Sequence, residues 1–330
     1  MVGSGNAPMR RLTLRFLLCL VSSIGLSSGV SLSAQESYTG SWEITVDNDK
    51  WGSNTDQHYT HGTRLTRRSD DVPNWLRRTA DWLPCIACSD PSSVEYEFGQ
   101  EIFTPENTAS IELIEDDRPY AGWAYAKTTL SSVRSTANAN KELFDAIGFQ
   151  IGVVGPASLA ERTQRLIHKG KGVSMPQGWD NQLGQEIGVV LTYTRGMRRR
   201  FGQVSGGAAG HDLALYVVGA LGNVFTHLGA GARWRFGVGL ANERASASRG
   251  WHVFTEIETR AVARNIFLDG NTRSDSHSVR KRPLVGHLAA GLEYEGAHFG
   301  LRITKVVRSK EFYGQVQPDE YGSITFFFRP

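Results

Sequence analysis

No run in this sequence reaches the roughly 20 apolar residues that a bilayer-spanning helix needs, and the mean hydropathy is only −0.30. A membrane could be crossed here only by strands. Charge of one sign is also lacking: 36 Lys and Arg stand against 33 Asp and Glu, a formal net charge of +3. The one basic run, Arg198-Arg199-Arg200, has no aromatic or motif context and reads as a solvated turn, which argues against nucleic acid as a partner. Beyond residue 34 there is no Gly-x-Ser-x-Gly elbow, so a serine nucleophile lacks its usual signature.

Cysteine is scarce as well, with three in the chain. Cys19 falls in the N-terminal apolar segment, while Cys85 and Cys88 form Cys-Ile-Ala-Cys between Pro84 and Pro91. In an exported chain that pair suits a small disulfide loop. A redox motif would need a surrounding βαβ pattern, and two thiols alone make a poor zinc site. Proline is sparse beside glycine, 11 against 36. Glycine inside strands marks bends and close backbone approaches.

What is present begins at the N-terminus. Arg10, Arg11 and Arg15 precede an apolar segment from Phe16 to Leu26, followed by small residues through Ser33-Ala34. That order is a secretory signal. Residues 1–34 are expected to be a signal peptide and residues 35–330 a single domain.

Period-2 alternation then recurs along the chain. Phe149 and Ile151 alternate with Gly148, Gln150 and Gly152; Trp234 and Phe236 alternate with Arg233 and Arg235; Ile257 opposes Glu256 and Glu258. One face is apolar, and the other carries charge and glycine. A lipid-facing barrel wall with a polar interior needs that inversion. A soluble sandwich would instead bury its apolar face between two sheets with Greek-key connections. The chain ends in Phe326-Phe327-Phe328-Arg329-Pro330, which suits a closing barrel strand.

The expectation is an all-β fold: a transmembrane antiparallel up-and-down barrel of about 12 strands in the outer membrane of a Gram-negative bacterium. Strand cores are placed at 42–50, 57–68, 95–104, 121–133, 144–154, 183–197, 212–222, 226–240, 251–267, 283–295, 297–307 and 320–328. Such a barrel starts in the periplasm, so odd-to-even connections lie outside. Two of these are long, 105–120 and 155–182. The second contains a short amphipathic helix at the outer rim, over the barrel mouth or against the lipid. Ser158-x-x-Glu161 reads as its capping box and Gly170 as its stop, with Leu159, Leu166 and Ile167 on one face and His168 at the end.

Asp47-Asn48-Asp49 closes the first strand, and His58-Tyr59-Thr60-His61-Gly62 opens the second. Parity sends Asp47 and Asp49 inward, sends Thr60 inward with Arg64, and leaves Asn48 on the outer side. Asp and Asn at a strand end are also ordinary turn formers, and a lone histidine such as His168 is usually structural. The acidic run Glu112, Glu115, Asp116 and Asp117 reads as a solvated loop, or a place for cations bridging phosphates.

Taken together, Asn48-Asp49, Thr60-x-Gly62, Asp117-Arg118-Pro119-Tyr120-Ala121-Gly122-Trp123, Gly152-Val153-Val154-Gly155-Pro156, His168 and Gly178-Trp179-Asp180-Asn181-Gln182 form a pattern. It resembles the LpxR-type lipid A 3'-O-deacylases, outer-membrane barrels of twelve strands, from Trp42 to Phe328. The resemblance implies a carboxylic ester hydrolase acting on the 3'-linked acyloxyacyl ester of lipid A, with Ca2+ as cofactor, lipopolysaccharide as substrate and a monomer as the working form. His168 would be the general base; Asn48, Asp49 and Thr60 would place the water and build the cation site, with Asp180 a further ligand. Arg118, Lys169 and Lys171 would meet substrate phosphate. Imidazole suits the base role, and a hard cation on oxygen ligands can stabilise an oxyanion.

Two positions depart from the family pattern. A basic pair carried by some members falls on Ser110-Ile111, and an acidic residue six positions after the histidine falls on Ser174. Asp180, Glu186 or the acidic loop could replace the missing ligand, and Lys169 or Lys171 the phosphate contact. The readings from other classes are a non-catalytic barrel or small channel that binds lipopolysaccharide, and an outer-membrane phospholipase.

Overall fold

The computed structural model describes residues 40–51, 58–80, 91–201, 209–240 and 249–330. The expected signal peptide and the Cys85–Cys88 pair lie outside the described residues. Twelve strands close into one barrel, each antiparallel to its chain neighbours, with the first and last paired. They are β1 (Ser41–Asn48), β2 (His58–Ser69), β3 (Ser93–Thr104), β4 (Ala121–Ser135), β5 (Lys141–Val154), β6 (Glu186–Phe201), β7 (Gly210–Gly222), β8 (Phe225–Val238), β9 (Gly250–Asn265), β10 (Leu284–Glu295), β11 (Phe299–Arg308) and β12 (Asp319–Phe328). Each expected strand is present, with ends shifted by a few residues. The up-and-down order leaves no room for the Greek-key sandwich.

The alternation divides the wall as the sequence implies. Phe149, Ile151, Leu215, Val217, Trp234, Phe236, Ile257 and Ile303 stand exposed on the outside. Between them Arg233, Arg235, Glu258, Arg260 and Arg302 are buried within. An Arg or Lys on the lipid face at mid-membrane costs about 2–4 kcal/mol, so the register cannot slip by one residue. Inside, the charges are paired: Arg64 with Asp47 at 2.7 Å, Arg235 with Asp212 at 2.5 Å, Arg302 with Glu293, and Arg260 with Glu258. Pairing matters because one uncompensated buried charge costs several kcal/mol. The run Arg198-Arg199-Arg200 is not a turn. It lies in β6, where parity buries Arg198 and sets Arg200 against Glu142 at 2.7 Å, while Arg199 stays outside over Phe201.

The barrel folds its connections back on both rims. At the rim where β1 begins and β12 ends, helix α1 (Asn74–Ala80) follows β2, and Val72 and Leu76 pack on Val94, Leu130 and Ile147. At the opposite rim the lumen is filled by side chains. Phe103 stacks on Phe267 at 4.0 Å, Phe225 tilts against Phe267, and Tyr59 meets Tyr321 at 4.9 Å. Phe267 is delivered by the one-turn helix α2 (Ile266–Asp269), which is capped by the Asn265 side chain on the Phe267 N–H at 3.1 Å. The interior is a packed, polar-lined core rather than an open bore.

Candidate functional site

The long β5–β6 connection builds the site on the outside of the barrel. After β5 the chain turns at Gly155, whose φ of 89° suits glycine. A 3-10 turn, Pro156–Ser158, and then helix α3 (Ala160–Lys171) follow. Gly122 is flanked by the inward Ala121 and Trp123, so it faces outward. A Cβ there would lie 2.1 Å from the Ser158 hydroxyl and 2.2 Å from the Ala160 methyl. The missing side chain is what lets the helix sit on β4.

The helix ends differ from expectation. Ser158 does not form a capping box; its hydroxyl donates to the Gly155 carbonyl at 2.6 Å. The N-cap is Leu159, held at φ 59°, and the helix runs through Gly170 to a left-handed Gly172. A non-glycine residue in that region costs about 1–2 kcal/mol, offset here by the packing of the following turn. The buried face is also not the apolar one. Ala160, Gln164 and His168, spaced i, i+4, i+8, face the barrel, while Leu159 and Leu166 are 50% and 70% exposed.

Two of the motifs quoted above are the mount for this helix. Trp179 donates its indole N–H to Gln164 Oε1 at 2.8 Å and tilts on Tyr120 at 4.9 Å. Ile102, Tyr120, Ala160 and Trp179 form one buried cluster. Gly178 leaves room for the Tyr120 ring, since a Cβ there would be 2.7 Å from it.

The sheet register shows where the helix leads. Gly122, Ile102, His61 and Asn48 are successive ladder partners across β4, β3, β2 and β1. Ala160 sits over the Gly122–Ile102 end, and the charge of Lys171 reaches His61. Eight residues of helix advance about 12 Å, and two strand spacings cover about 10 Å. His168 is thereby carried toward the β1–β2 end of the row. Its Nδ1 lies 2.5 Å from the Ser174 carbonyl oxygen, and the ring is 4% exposed. A ring that donates from Nδ1 carries its lone pair on Nε2.

At that end Asn48 takes the outer side. Its Nδ2 donates to the Thr60 carbonyl at 3.1 Å, and its Oδ1 is buried without a hydrogen-bond partner. Thr60 departs from the expected inward row. The β2–β3 register shifts between Tyr59 and His61, so Thr60 is the extra residue of a bulge, and its hydroxyl pairs with that of Thr104 at 2.7 Å. Tyr59 supports the bulge from within by donating to Asp47 at 2.7 Å. Asp49 opens a 3-10 turn, Asp49–Trp51, where strand parity no longer applies, and is 2% exposed. Asn48, Thr60 and the neighbouring Asp49 are thus gathered at one rim position.

Other expected residues lie elsewhere. Arg118 is a correction: it is 1% exposed, bonds Glu311 at 2.9 Å and sits over Phe103 and Phe312. It seals the lumen and has no face for a substrate phosphate. Asp117 is likewise no solvated loop residue, since its carboxylate accepts the Glu106 and Arg118 N–H groups at 2.6 and 2.7 Å. Glu112, Glu115 and Asp116 are exposed as expected. Lys169 and Lys171 are exposed on the last turn of α3, and Asp180 is exposed beside Trp179. Glu186 is drawn to the far loops by Asn223, Asn271 and Thr272.

Among the described residues no three His, Cys, Asp or Glu side chains form a metal cluster. A hard cation does not require one, because it accepts amide and backbone carbonyl oxygens and water alongside carboxylate. The orphaned Oδ1 of Asn48, one residue before Asp49, fits that donor chemistry. His61, Thr104, Gln164 and Trp179 were not singled out as site residues in the sequence. The bulge and the ladder row that recruit them depend on pairing between strands.

Residues 16–329 match the family model described as outer membrane protein LpxR. The structure of LpxR from Salmonella typhimurium superposes with a TM-score of 0.73 at 19% identity, covering 87% of this chain and 99% of that one. The β domain of the Bordetella autotransporter BrkA gives a TM-score of 0.45 at 8% identity, covering 88% and 99%. No curated protein matches the sequence.

Proposed function

The chain belongs to the LpxR family of outer-membrane proteins, and on that premise we propose that it is a lipid A deacylase removing the 3'-linked acyloxyacyl group. The observation that supports this reading is His168, oriented by the Ser174 carbonyl on a helix packed on the outer face of β3 and β4, with Asn48 and Thr60 further along the same ladder row. A base placed there lies on the outer side of the wall, between helix and strands, the side on which the acyl esters of the leaflet are. It does not look into the lumen, and the packed aromatic rim counts against the channel reading.

His168 Nε2 takes a proton from water as the oxygen attacks the ester carbonyl. When the tetrahedral intermediate collapses, the same proton passes to the departing sugar 3'-oxygen, so the products are a free acid and a restored hydroxyl. The Nδ1–carbonyl contact holds the ring in the required tautomer throughout, as an orienting acceptor does in a catalytic triad. Thr60 and Thr104 shape the rim beside the attacking water. Asn48 Oδ1 and the Asp49 carboxylate would hold Ca2+. Bound there, Ca2+ would supply positive charge for the developing oxyanion. Lys169 and Lys171 on the exposed last turn suit substrate phosphate. Purified lipid A incubated with the protein, with and without chelator, tests the assignment: release of the 3'-acyloxyacyl group supports it, and an unchanged lipid in calcium sinks it.

A further inference from the structure

Helix α3 has three faces, and the barrel uses one of them. Ala160, Gln164 and His168 meet the wall. A second stripe, Leu159 and Leu166 at i, i+7, is 50% and 70% exposed. The third face carries Arg162, Arg165 and Lys169 at i, i+3, i+7, all exposed, with Glu161 bonded to Arg165 at 2.8 Å. Three cations against one carboxylate leave that row positive. At 3.6 residues per turn the apolar stripe and the basic row are adjacent around the axis.

A single exposed leucine says little. The setting of this pair says more. The helix is fixed to the outer face of a wall whose neighbouring strands present Phe98 at 64% and Leu65 at 39% exposure toward lipid. The adjoining β3–β4 loop adds Ile111 at 66% and Leu113 at 43%. That loop is tied to the helix mount by the Asn181 side chain, which donates to the Ile111 carbonyl at 2.8 Å. Apolar surface of the wall and the loop thus borders the helix, with Gln100 at the seam donating to the Ser158 carbonyl at 2.6 Å. A helix with leucines on one stripe and arginines beside them is built for the boundary between acyl chains and headgroups. Charge selects among lipids: a basic row at headgroup level favours a phosphorylated sugar lipid over a zwitterionic one.

We propose that α3 is an interfacial helix whose Leu159–Leu166 stripe rests in the acyl layer of the lipid A leaflet while its Arg162–Arg165–Lys169 row binds the lipid A phosphates. Seated this way, the helix fixes the depth at which His168 meets the leaflet. Its cations also do the work of the basic pair that Ser110-Ile111 lacks. The link from depth to ester choice rests on the deacylase reading; the seating itself does not.

The seating is tested with an environment-sensitive fluorophore on Leu166→Cys, in full-length protein carrying Cys85→Ser and Cys88→Ser, in nanodiscs containing lipid A and spin-labelled lipid. The label is expected to emit as in an apolar medium and to be quenched by the lipid, while the same label on Arg162→Cys is not. Water-like emission at both positions would overturn the proposal. Phosphate recognition is tested by Arg162→Gln with Arg165→Gln. KM is expected to rise about tenfold, the worth of about 1.4 kcal/mol, for bis-phosphorylated lipid A, with little change for the dephosphorylated lipid. Equal effects on both lipids would overturn it. If the unmodified protein cleaves neither lipid, the deacylase reading fails while the fluorescence result still decides the seating.

Discussion

The Nδ1 atom of His168 lies 2.5 Å from the carbonyl oxygen of Ser174, six residues further along the chain. The contact is made by backbone, so the side chain at position 174 does not orient the ring. A serine at this position therefore leaves the orientation of the proposed base intact, and the departure would bear on the proposed cation alone.

That shifts weight to Asn48. Its Oδ1 is buried without a hydrogen-bond partner and would join Asp49 on the proposed cation. Asn48→Leu keeps the size and removes the oxygen. The calcium concentration for half-maximal ester release is expected to rise about tenfold, the worth of one contact of about 1.4 kcal/mol. Calcium titrations of the two proteins check it, and equal midpoints would remove Asn48 from the site.

The helix mount gives a second prediction. Trp179→Phe keeps an aromatic ring but removes the indole N–H and leaves Gln164 Oε1 buried without its donor, a loss of about 1–3 kcal/mol. Trypsin is expected to cut faster at Arg162, Arg165 or Lys169. Gln164→Leu in the same chain should restore resistance, because two apolar groups then meet.

Much of this was legible in the sequence, and the division follows physics. Strand alternation is local, so Trp234 and Arg235 declare their faces without any partner. The rim is different. Thr60 was assigned inward by parity, and a one-residue bulge against β3 turned it aside. Arg118 was assigned to substrate because it sits in a motif, yet the motif's work is to clamp α3 and close the lumen. The helix and its leucine face are legible in the sequence, but which side meets the wall is decided by packing. The polar Gln164 and His168 face the protein, and the leucines are exposed.

The bulge has its own support, which predicts a stability effect. Asp47 accepts from Arg64 at 2.7 and 3.1 Å and from Tyr59 at 2.7 Å, all in the interior. Asp47→Ala strands the Arg64 charge and is expected to cost about 3–5 kcal/mol. Urea unfolding in detergent, followed by gel mobility, measures it. Ester release should fall as well, because Tyr59 adjoins Thr60.

Acid should loosen the closed rim. Burial alone would raise the Glu311 carboxyl, but the guanidinium groups of Arg308 and Arg118 outweigh it and hold it below the ordinary 4.5. A carboxyl depressed on folding gives its full stabilisation above the unfolded value and loses it as pH falls through the folded one. Hydrogen exchange across residues 309–318 is expected to stay slow at neutral pH and to quicken below about pH 4. Glu311→Gln should exchange quickly across the whole range.

The central claim is that His168, on the outer wall, hydrolyses the 3'-acyloxyacyl ester of lipid A. Mass spectrometry of lipid A from outer membranes expressing the protein or its His168→Ala variant, in calcium, tests it most directly. The account predicts loss of the 3'-acyloxyacyl group with the unmodified protein and at least a ~100-fold slower loss with the variant. Lipid A left intact by both, or trimmed equally by both, would contradict it.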